Sequence, residues 1–216
     1  MENDKQQYLE RLGFVRWVPR DRIQSLLTEN TGLKTSLENL AEEVDACKLC
    51  SLHETRKNTV FGVGNLSAEW MFVGEVPGSE KDRQGLPFGG RAGELLDAMI
   101  VSVGMERDDV YVVNLLKCRP SENRDPLGIE VQSCEGCLQR QIKLVEPRLI
   151  VALGPFAAQS LLKSSLPIGK LRGREHSYVP FEIPLVATYH PAYLLRSPLE
   201  KRKVWSDLLL AKSILL

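Results

Sequence analysis

Residues 68–100 read AEWMFVGEVPGSEKDRQGLPFGGRAGELLDAMI, and this stretch decides the fold. Its apolar beginning predicts a short buried strand, and its end carries apolar side chains every three or four residues, which predicts an amphipathic helix. Residues 74–93, between the two, contain six glycines and two prolines. A loop of this composition lets the backbone approach a ligand closely. A strand that leads through such a loop into a helix is the expected beginning of a parallel α/β fold.

The rest of the chain continues the alternation of strands and helices. Further strands are predicted in DVYVVNLLKC, RLIVALG and PLVATYHP, and further helices in CEGCLQRQIKLVEP, PFAAQSLLKS and EKRKVWSDLLLAKSILL. This order predicts a parallel sheet with helices on both faces, in which ligands bind beyond the carboxyl ends of the strands. Glu75, Asn114 and His190 each end or follow a predicted strand. We therefore expect these three polar side chains to converge on one edge of the sheet.

The beginning of the chain is treated separately. We assign residues 1–40 to an N-terminal extension and residues 41–216 to the main domain. Near the boundary, apolar residues recur every three or four positions, at Leu33, Leu37, Leu40 and Val44. This spacing predicts an amphipathic helix that leads into the main domain.

The overall charge and hydropathy exclude several classes of protein. The chain carries 28 basic and 28 acidic side chains, so its formal net charge is zero. Contact with a nucleic acid would therefore depend on a local basic patch, and the best one is KLRGREH, with Lys170, Arg172 and Arg174. The N-terminus lacks a basic flank before an apolar core, and no window approaches the roughly 18 apolar residues of a membrane helix. We expect a cytoplasmic protein with no membrane span.

The five cysteines indicate a metal centre. Cys47 and Cys50 form one C-x-x-C pair, and Cys134 and Cys137 form another. Two such pairs are typical of a tetrahedral zinc site. Cys118 adds a fifth thiol, and Cys47, Cys50, Cys118 and one cysteine of the second pair would equally suit an iron–sulfur cluster. The spacing does not choose between the two metals, and five buried apolar thiols without a metal are the remaining alternative.

Three motifs give the chain a closer resemblance. GEVPGSEKDRQGLPFGGRAG, VVNLLKCRPSENRDP and HPAYLLR follow a C-x-x-C pair in this order, and together they resemble the family 4 uracil-DNA glycosylases, the iron–sulfur branch of that superfamily. The resemblance spans roughly residues 41–212. It implies a three-layer α/β/α fold around a short, mainly parallel central sheet. It also implies a structural [4Fe–4S] cluster, whose ligands fall on Cys47, Cys50, Cys118 and Cys134. Cys137 is then a spare thiol.

The resemblance implies a base-binding pocket. A glycosylase extrudes its target base from the stack and reads the edge of that base inside a pocket. Asn114 matches the family's asparagine and would read the uracil edge with its amide. Phe88 matches the pocket aromatic and would stack on the ring. Gly74 and Val76 would belong to the loop that forms the pocket wall.

The resemblance also implies the catalytic residues. His190 matches the family's histidine and would donate a hydrogen bond to the O2 atom of the leaving uracil. Glu75 would orient or deprotonate the attacking water, or offset positive charge on the sugar. Two positions depart from the family's pattern. Val76 stands where Ala or Gly is more usual and is expected to narrow the pocket, and Lys81 stands where many members have an acidic residue.

The last motif is expected to contact DNA. In this superfamily the segment that follows HPAYLLR wedges into the duplex, so Leu194 and Leu195 would supply apolar volume and Arg196 a phosphate partner. The alternative is that the two leucines belong to an ordinary helix core and that Arg196 is a solvated side chain.

Two other positions are candidates for DNA contact. Asn123 in SENRDP matches a motif position of the family and would contact the glycine-rich loop or the DNA backbone, or else form an Asx turn before Pro126. Arg172, in the basic patch, would contact a phosphate. Either single-stranded or double-stranded uracil-containing DNA would serve as substrate.

The N-terminal extension suggests a partner. Residues 8–17 are rich in apolar side chains and resemble the N-terminal peptide of the psi subunit of bacterial DNA polymerase III, which docks on the clamp loader. A replication clamp loader is therefore the expected partner. The alternative is that these residues pack on the protein's own domain. We expect a monomer.

The leading prediction is a monofunctional glycosylase that hydrolyses the N-glycosidic bond of uracil in DNA and so starts base-excision repair. Another glycosylase of this fold, acting on a different deaminated base such as hypoxanthine, is one alternative. A member that traps DNA covalently would need a long basic insertion, which RGREHSY around His176 lacks. A non-catalytic module that binds DNA or a replication partner, and a zinc protein of unrelated function, are the alternatives of other classes.

Overall fold

The computed structural model describes residues 36–78, 87–88 and 90–216. The compact unit that contains the sheet begins at Ser36. Within the described residues, six strands form one sheet: β1 (Val63–Gly64), β2 (Trp70–Gly74), β3 (Tyr111–Asn114), β4 (Leu149–Leu153), β5 (Glu175–Tyr178) and β6 (Ile183–Thr188).

The strand order is β1-β3-β2-β4-β6-β5, and the four central strands are parallel. These are the four strands that the sequence predicts, and they are apolar because helices cover both of their faces. The two outer strands run antiparallel to their neighbours and were not predicted. β1 has only two residues, and β5 reads EHSY with a mostly exposed burial pattern. Short, polar strands are usual at sheet edges.

The helices of the described residues follow the strands in alternation. They are α1 (residues 36–45), α2 (Leu52–Thr55), α3 (Gly90–Ser102), α4 (Gly128–Val145), α5 (Pro155–Leu162), α6 (Ile168–Leu171), α7 (Pro191–Arg196) and α8 (Lys201–Ile214). Helices α3, α7 and α8 contribute to one core cluster with alternate residues of the central strands. Helices α4 and α5 bury other apolar side chains that are not part of that cluster. The expected three-layer α/β/α fold with a mainly parallel sheet is confirmed.

Two element boundaries differ from the prediction. Helix α4 begins at Gly128, six residues before the cysteine at which its prediction starts, because the Leu127 N–H donates to Glu130 Oε2 over 2.8 Å and caps the first turn. Strand β3 ends at Asn114. Backbone pairing with the β2 segment continues beyond the strand, since the Leu115 N–H donates to Gly74 O and the Leu116 N–H donates to Glu75 O.

The helix predicted near the domain boundary is present in its described part. Leu37, Leu40 and Val44 are buried on one side of α1, as the spacing predicts, whereas Leu33 lies outside the described residues. The boundary between residues 40 and 41 stays a prediction. None of the helices in the described ranges has the length and apolarity needed to cross a bilayer.

Candidate active site and cysteine cavity

The predicted polar residues lie at the switch point of the sheet. Neighbouring strands β2 and β4 connect onward in opposite directions, β2 to β3 on one side and β4 to β6 on the other. A crevice opens at such a point, beyond the carboxyl ends of the strands. Glu75 follows β2, Asn114 ends β3 and His190 follows β6. The structure therefore brings together the three strand ends that the sequence singled out.

Gly74, Phe88 and Asn114 meet on one side of this crevice. Gly74 is paired with Asn114 in the parallel ladder. A Cβ added at Gly74 would lie 2.4 Å from Phe88 Cζ and 2.5 Å from Asn114 Oδ1. Because real Cβ atoms do not approach other atoms so closely, only glycine allows the aromatic ring and the amide to converge here.

The side-chain amide of Asn114 is in an unusual state. The residue is completely buried, yet among the described residues neither Oδ1 nor Nδ2 has a hydrogen-bond partner. Burying polar atoms without partners costs free energy, so nearly all buried side-chain amides are paired. The Asn114 amide is therefore arranged to pair with something that enters the crevice.

Phe88 is held in a backbone conformation that bulky residues seldom adopt. Its φ angle is 56°, in the left-handed region, and the side chain is 5% exposed. Gly93 permits this conformation, since a Cβ there would lie 1.8 Å from the Phe88 carbonyl oxygen. The Phe88 ring stacks beside His190 with ring centroids 5.5 Å apart and an interplanar angle of 27°. Strain of this kind is concentrated at functional sites.

The tautomer of His190 follows from its hydrogen bond. His190 caps helix α7, and its Nδ1 accepts a hydrogen bond of 3.1 Å from the Ala192 N–H. A backbone N–H can only donate, so Nδ1 carries no proton. A neutral imidazole in this position must carry its proton on Nε2. His190 is thereby set up as a neutral donor.

The Glu75 carboxylate lies near Gly154. Gly154 directly follows β4 and has a φ of +95°. A Cβ there would lie 3.1 Å from the His190 Cβ and 3.9 Å from Glu75 Oε2. The carboxylate and the imidazole thus flank the same glycine.

The Val76 side chain does not lie where the sequence suggested. It was expected to narrow the base pocket, but it packs against the apolar cluster of Leu52, Leu116 and Cys118. The Val76 side chain therefore lies on the side of the cysteines. Lys81, the second departure from the family pattern, lies outside the described residues.

The cysteines line a common cavity. The cavity measures about 310 Å³, and Lys117 and all five thiols are in its wall: Cys47, Cys50, Cys118, Cys134 and Cys137. Thiolates around one tetrahedral zinc ion would lie about 3.8 Å from one another. Among the described residues, no three cysteine, histidine or carboxylate side chains are grouped to hold a single ion. The cavity has room for a larger group, and thiols are the donors that an iron–sulfur cluster requires.

Cationic side chains surround the thiols. The Arg56 guanidinium donates from Nη1 to Cys118 Sγ over 3.1 Å. Burial raises the pKa of Cys118, while the hydrogen bond from Arg56 acts in the opposite direction. Burial also raises the pKa of Cys134, and the Lys117 charge acts against it. Because metals bind thiolates, these cations favour the ligand form of the cysteines.

The residues expected to contact DNA divide into two groups. Leu195 and Arg196 are exposed on helix α7, one turn beyond His190, whereas Leu194 is buried in the core. The exposed Asn123 has a φ of 55° and accepts a hydrogen bond of 2.9 Å from Arg119 Nε.

Arg172 is committed to a structural ion pair. Its guanidinium donates to both carboxylate oxygens of Asp207, at 3.0 and 2.7 Å, and its side chain is 16% exposed. Asp207 is fully buried and also accepts from the Thr188 hydroxyl at 2.6 Å. Burial raises the pKa of Asp207, and the hydrogen bonds from Thr188 and Arg172 act against this shift. This pairing argues against the expected phosphate contact of Arg172.

Two residues of the site were missed by the sequence analysis. Gly154 lies next to both Glu75 and His190. The sequence feature that could have indicated it is a glycine at the end of a predicted strand. Lys117 is 1% exposed, and its ammonium donates to the Asn114 carbonyl over 2.7 Å. Burial lowers the pKa of Lys117, against the influence of the nearby thiols. Its signal was a lysine inside the apolar run LLKC.

Known proteins resemble the chain over this whole region. Residues 61–209 match the family model of the uracil DNA glycosylase superfamily. The type-4 uracil-DNA glycosylase of Archaeoglobus fulgidus is 42% identical over 178 residues, which cover 80% of this chain and 89% of the relative. That of Sulfurisphaera tokodaii is 44% identical over 170 residues, 76% of this chain and 77% of the relative. That of Thermotoga maritima is 40% identical over 182 residues, 83% of this chain and 94% of the relative.

The match includes the strands that carry Glu75, Asn114 and His190, so the comparison and the geometry concern the same crevice. No similarity to a polymerase psi subunit appears among these relatives. The coverage and identity are sufficient to assign the chain: it belongs to the uracil DNA glycosylase superfamily.

Proposed function

We propose that this chain hydrolyses the N-glycosidic bond of uracil in DNA as a monofunctional glycosylase that starts base-excision repair. The observation that carries the proposal is the Asn114 amide, which is buried and has no partner among the described residues. An amide in this state is complementary to a ligand that offers a donor beside an acceptor. The superfamily membership supports the same activity.

Uracil has the required hydrogen-bonding edge. Its N3–H can donate to Asn114 Oδ1, and its O4 can accept from Nδ2. Both atoms are already desolvated, so these hydrogen bonds form without displacing a competing partner. The Phe88 ring lies beside the amide and offers an aromatic face for the base, a contact worth about 1–3 kcal/mol. The absence of a side chain at Gly74 allows the ring and the amide to lie this close to each other.

His190 assists the departure of the base. Cleavage of the glycosidic bond leaves uracil with negative charge, which develops at O2. A donor aimed at that atom stabilises the transition state more than the bound substrate. The hydrogen bond from Ala192 supports this role, because it leaves the proton of a neutral imidazole on Nε2. A donor of this kind contributes about a hundred- to a thousandfold in rate.

Glu75 acts on the sugar side. The sugar becomes positively charged as the bond breaks, and a water molecule then attacks its C1′ atom. A carboxylate beside His190 can orient that water, accept its proton or offset the positive charge. Both Glu75 and His190 lie close to Gly154, which supports their action on one bound nucleotide.

The cysteine cavity is the proposed site of a [4Fe–4S] cluster, with Cys47, Cys50, Cys118 and Cys134 as ligands and zinc as the alternative occupant. The shared cavity, its volume and its cationic surroundings support a multi-thiolate group. The cluster would cross-link α4 to the segments that carry Cys47, Cys50 and Cys118. Its role would be structural, and none of the residues proposed to contact uracil lines this cavity.

DNA contact is proposed for residues 195–196 and for Asn123. The exposure of Leu195 and Arg196 beside the catalytic histidine supports a wedge and a phosphate contact. Asn123 is exposed, but its bond to Arg119 is equally compatible with a local turn. Arg172 is the weakest candidate because Asp207 already engages its charge.

The expected docking of residues 8–17 on a replication clamp loader concerns a segment outside the described residues. It stays a prediction from the sequence, as do the monomeric state and the cytoplasmic location.

The activity is tested with a labelled oligonucleotide that contains one uracil, followed by alkali to break abasic sites. We expect cleavage by the wild type and a loss of at least a hundredfold for His190→Asn. Asparagine can still cap helix α7 through its side-chain oxygen, so this variant removes the Nε2 donor and keeps the cap. His176→Asn, a histidine outside the crevice, is the matched control. Uracil excision at wild-type rate by His190→Asn would refute the assigned role, and no excision by the wild type would refute the activity.

The metal is tested by analysis of iron and acid-labile sulfide. A cluster requires equal amounts of both and gives a brown protein, whereas a zinc protein is colourless. Cys134→Ser should lose iron, and Cys137→Ser should retain it. Retention of iron by Cys134→Ser together with its loss from Cys137→Ser would exchange the ligand assignments.

A further inference from the structure

Lys117 occupies a position between the cysteine cavity and the base-reading residue. Its side chain is 1% exposed, and its ammonium donates a hydrogen bond of 2.7 Å to the backbone carbonyl of Asn114. The same side chain lines the cavity that contains Cys118 and Cys134. A buried ammonium needs anionic or polar groups around it. The Asn114 carbonyl supplies one such group.

The hydrogen bond fixes the peptide unit between residues 114 and 115 at both ends. The Lys117 ammonium donates to the carbonyl of this unit, which belongs to Asn114. The N–H of the unit, which belongs to Leu115, donates to the Gly74 carbonyl over 3.0 Å. The Asn114 side chain has no hydrogen bond of its own among the described residues. Its direction is therefore set by the backbone on which it stands.

We propose that Lys117 is a positioning residue, which holds Asn114 in register to read the base through its hydrogen bond to the Asn114 carbonyl. This inference rests on the proposed function, because it assigns Lys117 an effect on uracil recognition through Asn114. Lys117 does not touch the base. It acts on base recognition through one hydrogen bond, to the backbone carbonyl of Asn114.

A double-mutant cycle tests the proposal. Lys117→Met keeps the length of the side chain and removes its charge and donors. In the full-length, metal-loaded protein we expect this variant to lower kcat/KM for a uracil oligonucleotide roughly ten- to hundredfold, the effect of losing one charged hydrogen bond. In the Asn114→Ala background the same change should alter kcat/KM less than twofold, since the residue through which Lys117 acts is already missing. Single-turnover assays with long incubation measure the residual rates.

Gln141→Met is the matched control. Gln141 lies on helix α4, other residues of which line the cavity; it is also fully buried, and its Nε2 donates to the Phe61 carbonyl over 2.9 Å. Any effect of this control on kcat/KM should be the same in both backgrounds. Iron content is measured for every variant, so that metal loss is separated from mispositioning. If Lys117→Met does not fold, Lys117→Gln, which keeps a donor, enters the same cycle.

The outcomes separate the proposals. Equal losses from the Lys117 change in both backgrounds would overturn coupling through Asn114, as would wild-type kcat/KM in the single variant. An Asn114→Ala protein with undiminished activity would overturn the proposed reading of uracil by Asn114 and the role of Lys117 with it. If Lys117→Met lowers kcat/KM only in the protein that retains Asn114, and not in the Asn114→Ala protein, the inference is supported.

Discussion

Replacement of Asn114 by alanine should stabilise the protein while it disables the pocket. Most truncations of fully buried side chains lower stability. Asn114 is an exception, because both polar atoms of its amide are buried without partners among the described residues. The folded protein therefore bears a desolvation cost that binding of the base relieves. Alanine removes that cost and the ability to read the base together.

The size of the effect can be estimated from the two atoms. An unpaired buried polar group costs about 1–3 kcal/mol, so the amide costs at least about 2 kcal/mol. Truncation also removes some van der Waals contacts with the surrounding residues, which we take as about 1 kcal/mol by comparison with small buried deletions. The net gain is about 1 kcal/mol, which raises the Tm by about 2–4 °C for a domain of this size. Over the same substitution kcat/KM should fall about a hundredfold.

Thermal denaturation of preparations with equal iron content measures the stability. Gln141→Ala is the control, because its amide is also fully buried but only Oε1 lacks a partner, whereas Nε2 donates to the Phe61 carbonyl over 2.9 Å. We expect the Tm to rise for Asn114→Ala and to fall for Gln141→Ala. If the two variants lost stability alike, Asn114 would have a partner in the folded protein, and the account of a pocket that waits for the base would be wrong.

Two further predictions concern the pocket and the DNA contacts. Gly74→Ala should abolish uracil excision at unchanged iron content, because its Cβ would lie within 2.5 Å of the pocket ring and amide; Gly78→Ala, whose Cβ would meet nothing within 4 Å among the described residues, should leave the rate in the same assay unchanged. Arg172→Ala should lower the free energy of unfolding by about 3 kcal/mol, because it leaves Asp207 buried without its cation, whereas Arg196→Ala should weaken DNA binding in a fluorescence titration and leave the unfolding curve unchanged. If Arg172→Ala weakened DNA binding without changing the unfolding curve, Arg172 would be assigned a phosphate contact after all.

The sequence predicted the centre of the sheet and failed at its edges. The four central strands are apolar runs because they are covered on both faces, and such runs are visible without knowledge of the partners. β1 and β5 are short and polar, and they are strands only because a neighbour offers backbone hydrogen bonds. The convergence of Glu75, Asn114 and His190 was also predictable, because the carboxyl ends of parallel strands lie at one edge of the sheet.

Other features of the site depend on contacts between distant segments. The direction of the Val76 side chain is decided by the apolar cluster on the cysteine side. The burial of Lys117 depends on the cavity around it, which α1 and α4 help to line. Arg172 looks like part of a basic patch in the sequence, but Asp207, 35 residues away, engages it. The contacts of Val76 and Arg172 leave no periodic or local signal, and the lysine inside the apolar run LLKC does not show which groups surround it.

The same short segment serves the pocket and the cysteine cavity. Asn114 and Cys118 are four residues apart, and backbone hydrogen bonds hold the segment between them: to Gly74 and Glu75 at its beginning, and from the Val60 N–H to the Lys117 carbonyl at 2.7 Å near its end. A cluster that binds Cys118 would restrain this segment without contact with the substrate. The distance of the metal from the chemistry is then no argument that the two are independent. The proposed cluster would then act on base recognition by anchoring the short segment that begins at Asn114, the residue proposed to read the base.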